Sequence, residues 1–198
     1  MRPFEEKKFN IGELKGISKK TIEEHLKLYA GYVSHTNLCL QKIDELSADL
    51  KLNGYERGEV QRRFGFEYDG MRNHEVYFDS LSLGPTEISK DSELYKSIAY
   101  LWGSFDAWLN RFKSIALSRG IGWAMLYFDK KETRLLNAYV EDHQLGQLVG
   151  CTPILALDMW EHAFVADYQP SGKKDYVNDF FLNLNWSKVE ENLNQAAK

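Results

Sequence analysis

From Thr21 to Leu50 the apolar residues Ile22, Leu26, Tyr29, Val33, Leu40, Ile43, Leu46 and Leu50 recur mostly three or four positions apart among charged and polar residues. That is the period of a helix burying one face. Thr21 with Glu24 three residues on forms a capping box, which predicts the helix start. Gly54 ends this pattern, and a second helix is predicted from about Glu56 to Leu81, with Phe64, Met71, His74, Tyr77 and Phe78 as its inward stripe. Two long helices joined by so short a connection predict an antiparallel hairpin. Leu83-Gly84-Pro85-Thr86 reads as a linker, dividing the chain into an N-terminal helical hairpin domain, 1–84, and a C-terminal α/β domain, 85–198. A third helix is predicted from Ser92 to about Ser118, carrying Leu94, Ile98, Leu101, Phe105, Phe112 and Ile115.

After Gly120 the period shortens to that of strands: Trp123 to Asp129, Arg134 to Val140, and Ile154 to Asp158. Lys130-Lys131-Glu132 is a hairpin connection, and the third strand is expected to add after the loop around Gly146 and Gly150. Two terminal helices follow, about Lys174 to Asn183 and Ser187 to Ala196. The predicted class is α+β: an antiparallel helical hairpin, then a small antiparallel three-stranded sheet flanked by helices.

Composition narrows the function. Hydrophobic residues at 43% and aromatics at 14% can fill a core in 198 residues, which excludes a disordered chain. Lys+Arg 25 against Asp+Glu 29, a net charge of −4, argues against a nucleic-acid partner, which needs a basic face. Cys39 and Cys151 are far apart with no CxxC, so neither a disulfide framework nor a thiolate zinc cluster is predicted, and a reducing cytoplasm fits. The opening MRPFEEKKFN lacks the apolar core of a signal peptide. The longest apolar runs fall far below the roughly 20 residues that span a bilayer, so a soluble, unprocessed protein with no membrane partner is expected.

Five histidines, His25, His35, His74, His143 and His162, are few enough to weigh singly. One histidine on a half-apolar helix face is ordinarily a hydrogen-bonded boundary residue. Here His25 and His74 lie on the inward stripes of two facing helices, which can bring both imidazoles onto one ion. Asp158 ends an apolar strand, with His162 four residues on; a helical turn there would place them one turn apart. Three imidazoles and a carboxylate suit iron or manganese, and zinc would accept them too.

These residues sit in longer runs. Thr21-Ile-Glu-Glu-His25 followed by Gly31-Tyr32-Val33, Asn73-His74 with Tyr77-Phe78, and Gly120-Ile-Gly-Trp123-Ala124 occur in order. Asp158-Met-Trp-Glu-His162-Ala163 follows, then Asp167-Tyr168, Asp175-Tyr176 and Asn185-Trp186. Together they resemble the iron/manganese superoxide dismutases. The resemblance implies that His25, His74, Asp158 and His162 ligate one iron or manganese ion per subunit, with solvent in a fifth position, and that the site lies between the two domains. It implies superoxide as substrate, converted to dioxygen and hydrogen peroxide. Tyr32 would be the gateway residue, with Trp123, Trp160 and Tyr29 around the ligands. It also implies a homodimer in which Glu161 of each subunit bonds His162 of the other.

The chain departs from the family pattern in places. Tyr32 follows His25 by seven residues where eight is usual, Leu28 or Tyr29 stands near the place of a customary histidine, and Val165 replaces a frequent tyrosine. Gly70 stands where some members carry a glutamine that bonds the metal-bound solvent. His143 is then the expected donor, with Gln147 second and Gln144 third. Because the substrate is an anion, Lys27 and Arg72 beside the helical ligands are candidates for a positive approach. Two other functions share this ligand set: a metal-dependent hydrolase, and a non-catalytic metal-binding protein of the same fold.

Overall fold

In the computed structural model, which describes residues 2–198, helix α1 runs Lys19–Leu46 and helix α2 Gly54–Leu81. The start of α1 corrects the expectation for Thr21. Ser18 is the cap, its hydroxyl oxygen accepting the Thr21 backbone N–H at 3.2 Å, while Thr21 lies buried inside the first turn. Glu24 reaches Lys27 instead of the cap. A single 3₁₀ turn, Ser47–Asp49, follows α1. The two helices run antiparallel, because side-chain pairs descend one as they climb the other: Ser47 with Arg57, His35 with Glu67, Tyr29 with Glu75.

The predicted third helix is two, α3 Glu93–Trp102 and α4 Phe105–Ala116. Gly103 adopts φ +85°, a left-handed conformation that ends a helix and that glycine alone takes without strain. Ser104 then caps α4 by accepting the Ala107 N–H at 3.0 Å. Apolar periodicity runs through both pieces, so the Gly-Ser pair was the only sign of the break.

Strands β1 Gly122–Asp129, β2 Arg134–Glu141 and β3 Cys151–Asp158 form one antiparallel sheet in the order β2-β1-β3. The central strand is buried along nearly its whole length. Its pairing with β3 slips once: Leu126 faces Leu155 while Tyr127 faces Pro153, leaving Ile154 as the extra residue. Pro153 cannot donate to the ladder, and an edge strand at a bulge tolerates it. The register places Trp123 opposite Asp158 at the far end. A short helix α5, Val165–Tyr168, precedes α6 Lys173–Asn183 and α7 Trp186–Ala196. None of the helices among the described residues is long and apolar enough to cross a membrane.

The segment before α1 is strapped along the hairpin. Phe4 exchanges two backbone hydrogen bonds with the Asn37 amide, the Lys7 N–H donates to Tyr29 Oη at 3.0 Å, and the Lys7 ammonium meets Glu75 at 3.0 Å. Glu75 is nearly buried and also accepts from Arg72 at 2.8 Å. Removing it strands Tyr29 Oη and two cations, so Glu75→Ala should cost about 1–3 kcal/mol in urea unfolding. A loss below about 0.5 kcal/mol, the range of an ordinary surface substitution, would show that the strap is not held there.

Candidate metal centre

Four elements each deliver one side chain to a single point. His25 lies in the second turn of α1, His74 in α2, Asp158 at the last position of β3, and His162 in the 3₁₀ turn Glu161–Ala163 that follows. Their ligand atoms all lie within 4.8 Å of one another. Asp158 Oδ2 is 3.0 Å from His25 Nε2, 3.1 Å from His162 Nε2 and 3.5 Å from His74 Nε2. Asp158 and His162 meet without the helical turn expected from their spacing. Strand β3 ends at Asp158, Trp160 is extended, and the Asp158 Oδ1 oxygen accepts the Trp160 backbone N–H at 2.8 Å, folding His162 back over the carboxylate.

The protonation states suit metal binding. Burial pushes the His25 pKa down and the His74 pKa well below its ordinary value. For Asp158 burial alone would raise the pKa, but the facing His162 and His25 imidazoles outweigh it and hold the carboxyl well below the usual range. Two neutral imidazoles and an ionised carboxylate are the forms that coordinate a cation. His74 donates its Nδ1 proton to the Gly70 carbonyl at 2.6 Å, which leaves Nε2 as a lone pair facing Asp158. That Nε2 is buried without a hydrogen-bond partner, a costly state for a polar atom unless it is coordinated. The residues therefore fit a metal ion.

Around this cluster Trp123 meets the His74 ring edge-on at 4.9 Å and donates its indole N–H to His143 Nδ1 at 3.0 Å. An Nδ1 that accepts leaves the neutral ring's one proton on Nε2, which lies 2.7 Å from Tyr32 Oη. Burial pushes the His143 pKa down to about 4, keeping it neutral. The structure thus directs the His143 proton to Tyr32. Gln147 donates to the His143 carbonyl and to Asn73, and accepts from Tyr127 Oη, so it fixes the backbone that carries His143. Trp160 stacks on His143 at 4.8 Å and on His162 at 5.8 Å. Tyr29 is fully buried beside His74 and bonds Lys7 and Glu75. Glu161 is exposed.

Tyr32 stacks on His74 with ring centroids 5.1 Å apart. Helix α1 is unbroken here, so seven residues turn about 700°, nearly two full turns, and Tyr32 stands above His25. Gly70 makes room for it: a Cβ there would meet the Tyr32 ring at 2.7 Å. Lys27 and Arg72 point elsewhere, which corrects their candidacy. Each lies two residues from a ligand, about 200° around its helix. Lys27 pairs with Glu24 at 2.7 Å, and Arg72 pairs with Glu75 beneath the N-terminal strap.

Sequence reasoning missed Phe66, and it named Tyr77 and Tyr176 only in the inward stripe and in runs of residues, without a role at the site. Phe66 packs on His143 at 4.5 Å and on Tyr32 at 6.1 Å. Tyr176 donates to the Asp158 carbonyl at 2.9 Å, and Tyr77 Oη lies 3.2 Å from Tyr176 Oη. The spacing Phe66-Gly70-His74, four and four on one helix, was the signal for the first.

His74→Ala and Asp158→Ala should each lose the metal while His143→Gln retains it, read by elemental analysis of purified protein. Full metal content in either alanine variant would remove that residue from the site.

The family profile described as iron/manganese superoxide dismutases, C-terminal domain, matches residues 90–192. An iron superoxide dismutase of Aquifex aeolicus (strain VF5) is 34% identical over 194 residues, covering 93% of this chain and 88% of the relative. One of Cupriavidus metallidurans, also named for iron, is 34% identical over 193 residues, with 94% and 93% covered. A manganese superoxide dismutase of Mycobacterium lepraemurium is 34% identical over 175 residues, with 87% and 82% covered. Identity at this level over nearly the whole chain, joined to a buried three-histidine and aspartate cluster, means that the chain belongs to the iron/manganese superoxide dismutase family.

Proposed function

We propose that the chain dismutes superoxide, two anions and two protons giving dioxygen and hydrogen peroxide, at one iron or manganese ion held by His25, His74, Asp158 and His162. The observation that carries this reading is the buried cluster, one carboxylate oxygen faced by three imidazole nitrogens. When bound, the ion supplies one-electron exchange by alternating between trivalent and divalent states.

The chain supplies ligands, protons and exclusion of water. Tyr32 Oη accepts from His143, so its own proton is free to turn toward an anion in front of His74. Burial raises the Tyr32 pKa, so the hydroxyl keeps that proton at neutral pH until charge develops beside it. Phe66, Trp123 and Trp160 wall the approach with aromatic surface. The hydrolase reading lacks support, because no nucleophile paired with a base accompanies the ligands among the described residues.

The site joins the proposed halves, 1–84 and 85–198, two ligands from each. The chain works as a homodimer in which Glu161 of one subunit bonds His162 of the partner subunit. In support, Glu161 is exposed and its carboxylate makes no hydrogen bond or ion pair among the described residues, and the His162 side chain is 21% exposed in a cluster whose other members show none. Both cysteines are free, in keeping with a cytoplasmic location.

Tyr32→Phe should lower superoxide consumption by about tenfold or more at unchanged metal content. Unchanged turnover at saturating superoxide would remove the hydroxyl from proton delivery. Glu161→Ala should weaken both dimerisation, measured by sedimentation, and metal retention. A fully active monomer at micromolar concentration would contradict the dimer.

A further inference from the structure

We propose that Arg63 is the residue that captures the substrate anion at the mouth of this site, an inference that rests on the dismutase reading and names its entry point. Arg63 lies eleven residues before His74 on α2. Eleven residues turn about 1100°, within about 20° of three full turns, so Arg63 emerges on the face that carries the ligand, three turns further out.

Its guanidinium is held in place. Nε donates to Glu67 at 2.7 Å, and the guanidinium carbon lies 3.8 Å from the centre of the Phe66 ring. Phe66 in turn packs on His143 and Tyr32. The cation is thereby fixed one aromatic ring away from the Tyr32–His143 pair, and its charge acts on both groups. Among the described residues both Nη groups lack an acceptor in the chain. The Arg63 side chain is 53% exposed while its partner carboxylate is 7% exposed. An anion arriving from solvent therefore meets the guanidinium first, with the carboxylate behind it.

A planar fork with free donors suits a small oxyanion, and a cation beside a narrow apolar approach raises the local anion concentration. Of the carboxylates near this mouth, Asp158 is held by His25 and His162, and Glu67 is paired with Arg63 at 2.7 Å. Arg63 sets a positive charge with free donors outside them. Nothing in the sequence flagged it, because Arg62 and Arg63 adjoin and only one of them shares the ligand's face.

The test compares metal-loaded wild type with Arg63→Gln, Arg63→Glu and Arg63→Lys, each checked for metal content and melting temperature. Superoxide consumption is measured across ionic strength, and azide binding is titrated optically as a probe of anion access. At low salt kcat/KM should fall about three- to tenfold in Arg63→Gln, further in Arg63→Glu and least in Arg63→Lys. Azide affinity should follow the same order, and the differences should close at high salt, where exposed charges are screened. Arg62→Gln, which removes the neighbouring cation paired with Glu59, should match wild type in both.

Equal azide affinity and equal kcat/KM for Arg63→Glu and wild type at low salt would overturn the proposal. So would a loss that persists undiminished at high salt, which would mark Arg63 as a packing residue. If Arg63→Glu does not fold, the Arg63→Gln and Arg63→Lys pair decides. Absence of superoxide consumption by the wild type would refute the functional reading alone, and the azide series would still decide the role of Arg63.

Discussion

Asp158 is fully buried, and a carboxylate removed from water is costly unless opposite charge or hydrogen bonds replace the solvent. The chain meets that cost from every side. His25 and His162 face one oxygen, the Trp160 N–H occupies the other, and Tyr176 bonds the Asp158 backbone carbonyl. These partners come from α1, from the turn after β3 and from α6, so the sheet, the helical hairpin and the C-terminal helices are referenced to this one group. Trp123 opposite Asp158 across the strand pair extends the same frame to His143 and Tyr32. Displacing any of these elements leaves a charge or a lone pair buried without a partner.

The same packing accounts for the altered gate. With α1 unbroken, the seven-residue step from His25 to Tyr32 keeps both on one face, and the space that Gly70 leaves is filled by the tyrosine ring. Tyr32 then stacks on His74 and accepts the His143 Nε2 hydrogen bond. The gate is assembled around a bare α2 backbone, with His143 supplied from the loop after β2 and clamped from behind by Gln147 and Asn73.

Much of this was legible in the letters. Helical periodicity located the starts of α1 and α2 and the end of α2 to within two residues, but it ran α1 on to Leu50, where the helix ends at Leu46 and a 3₁₀ turn follows, and Gly54, read as the stop of that pattern, opens α2. The change of period after Gly120 located three strands. The ligand set was legible as runs of residues, yet the bend that joins Asp158 to His162 was not. A strand end followed by a backbone hydrogen bond to its own carboxylate leaves no periodic trace. The break at Gly103 was hidden for a related reason, since apolar spacing carries straight through it. Choosing Lys27 and Arg72 as the positive approach relied on nearness in sequence, and two residues along a helix is the far side. Phe66 was missed because the inward stripe of α2 was traced through Phe64, whereas it is Phe66, eight residues before His74, that packs on His143 and Tyr32.

The central claim is that the side chains gathered around Asp158 hold one metal ion as a unit. Metal-free protein titrated with manganese(II) at neutral pH, followed by melting temperature, tests it most directly, because a ligand that binds only the folded state raises stability by mass action. The rise should saturate at one ion per chain and vanish in Asp158→Asn. The melting temperature of the metal-free protein should itself fall as pH drops below about 6.5: the unfolded chain then takes up protons on its histidines, while buried His25, His74 and His143 have lowered pKa values and resist them, so acid favours unfolding. A melting temperature that does not respond to the metal, or that responds equally in Asp158→Asn, would contradict the account.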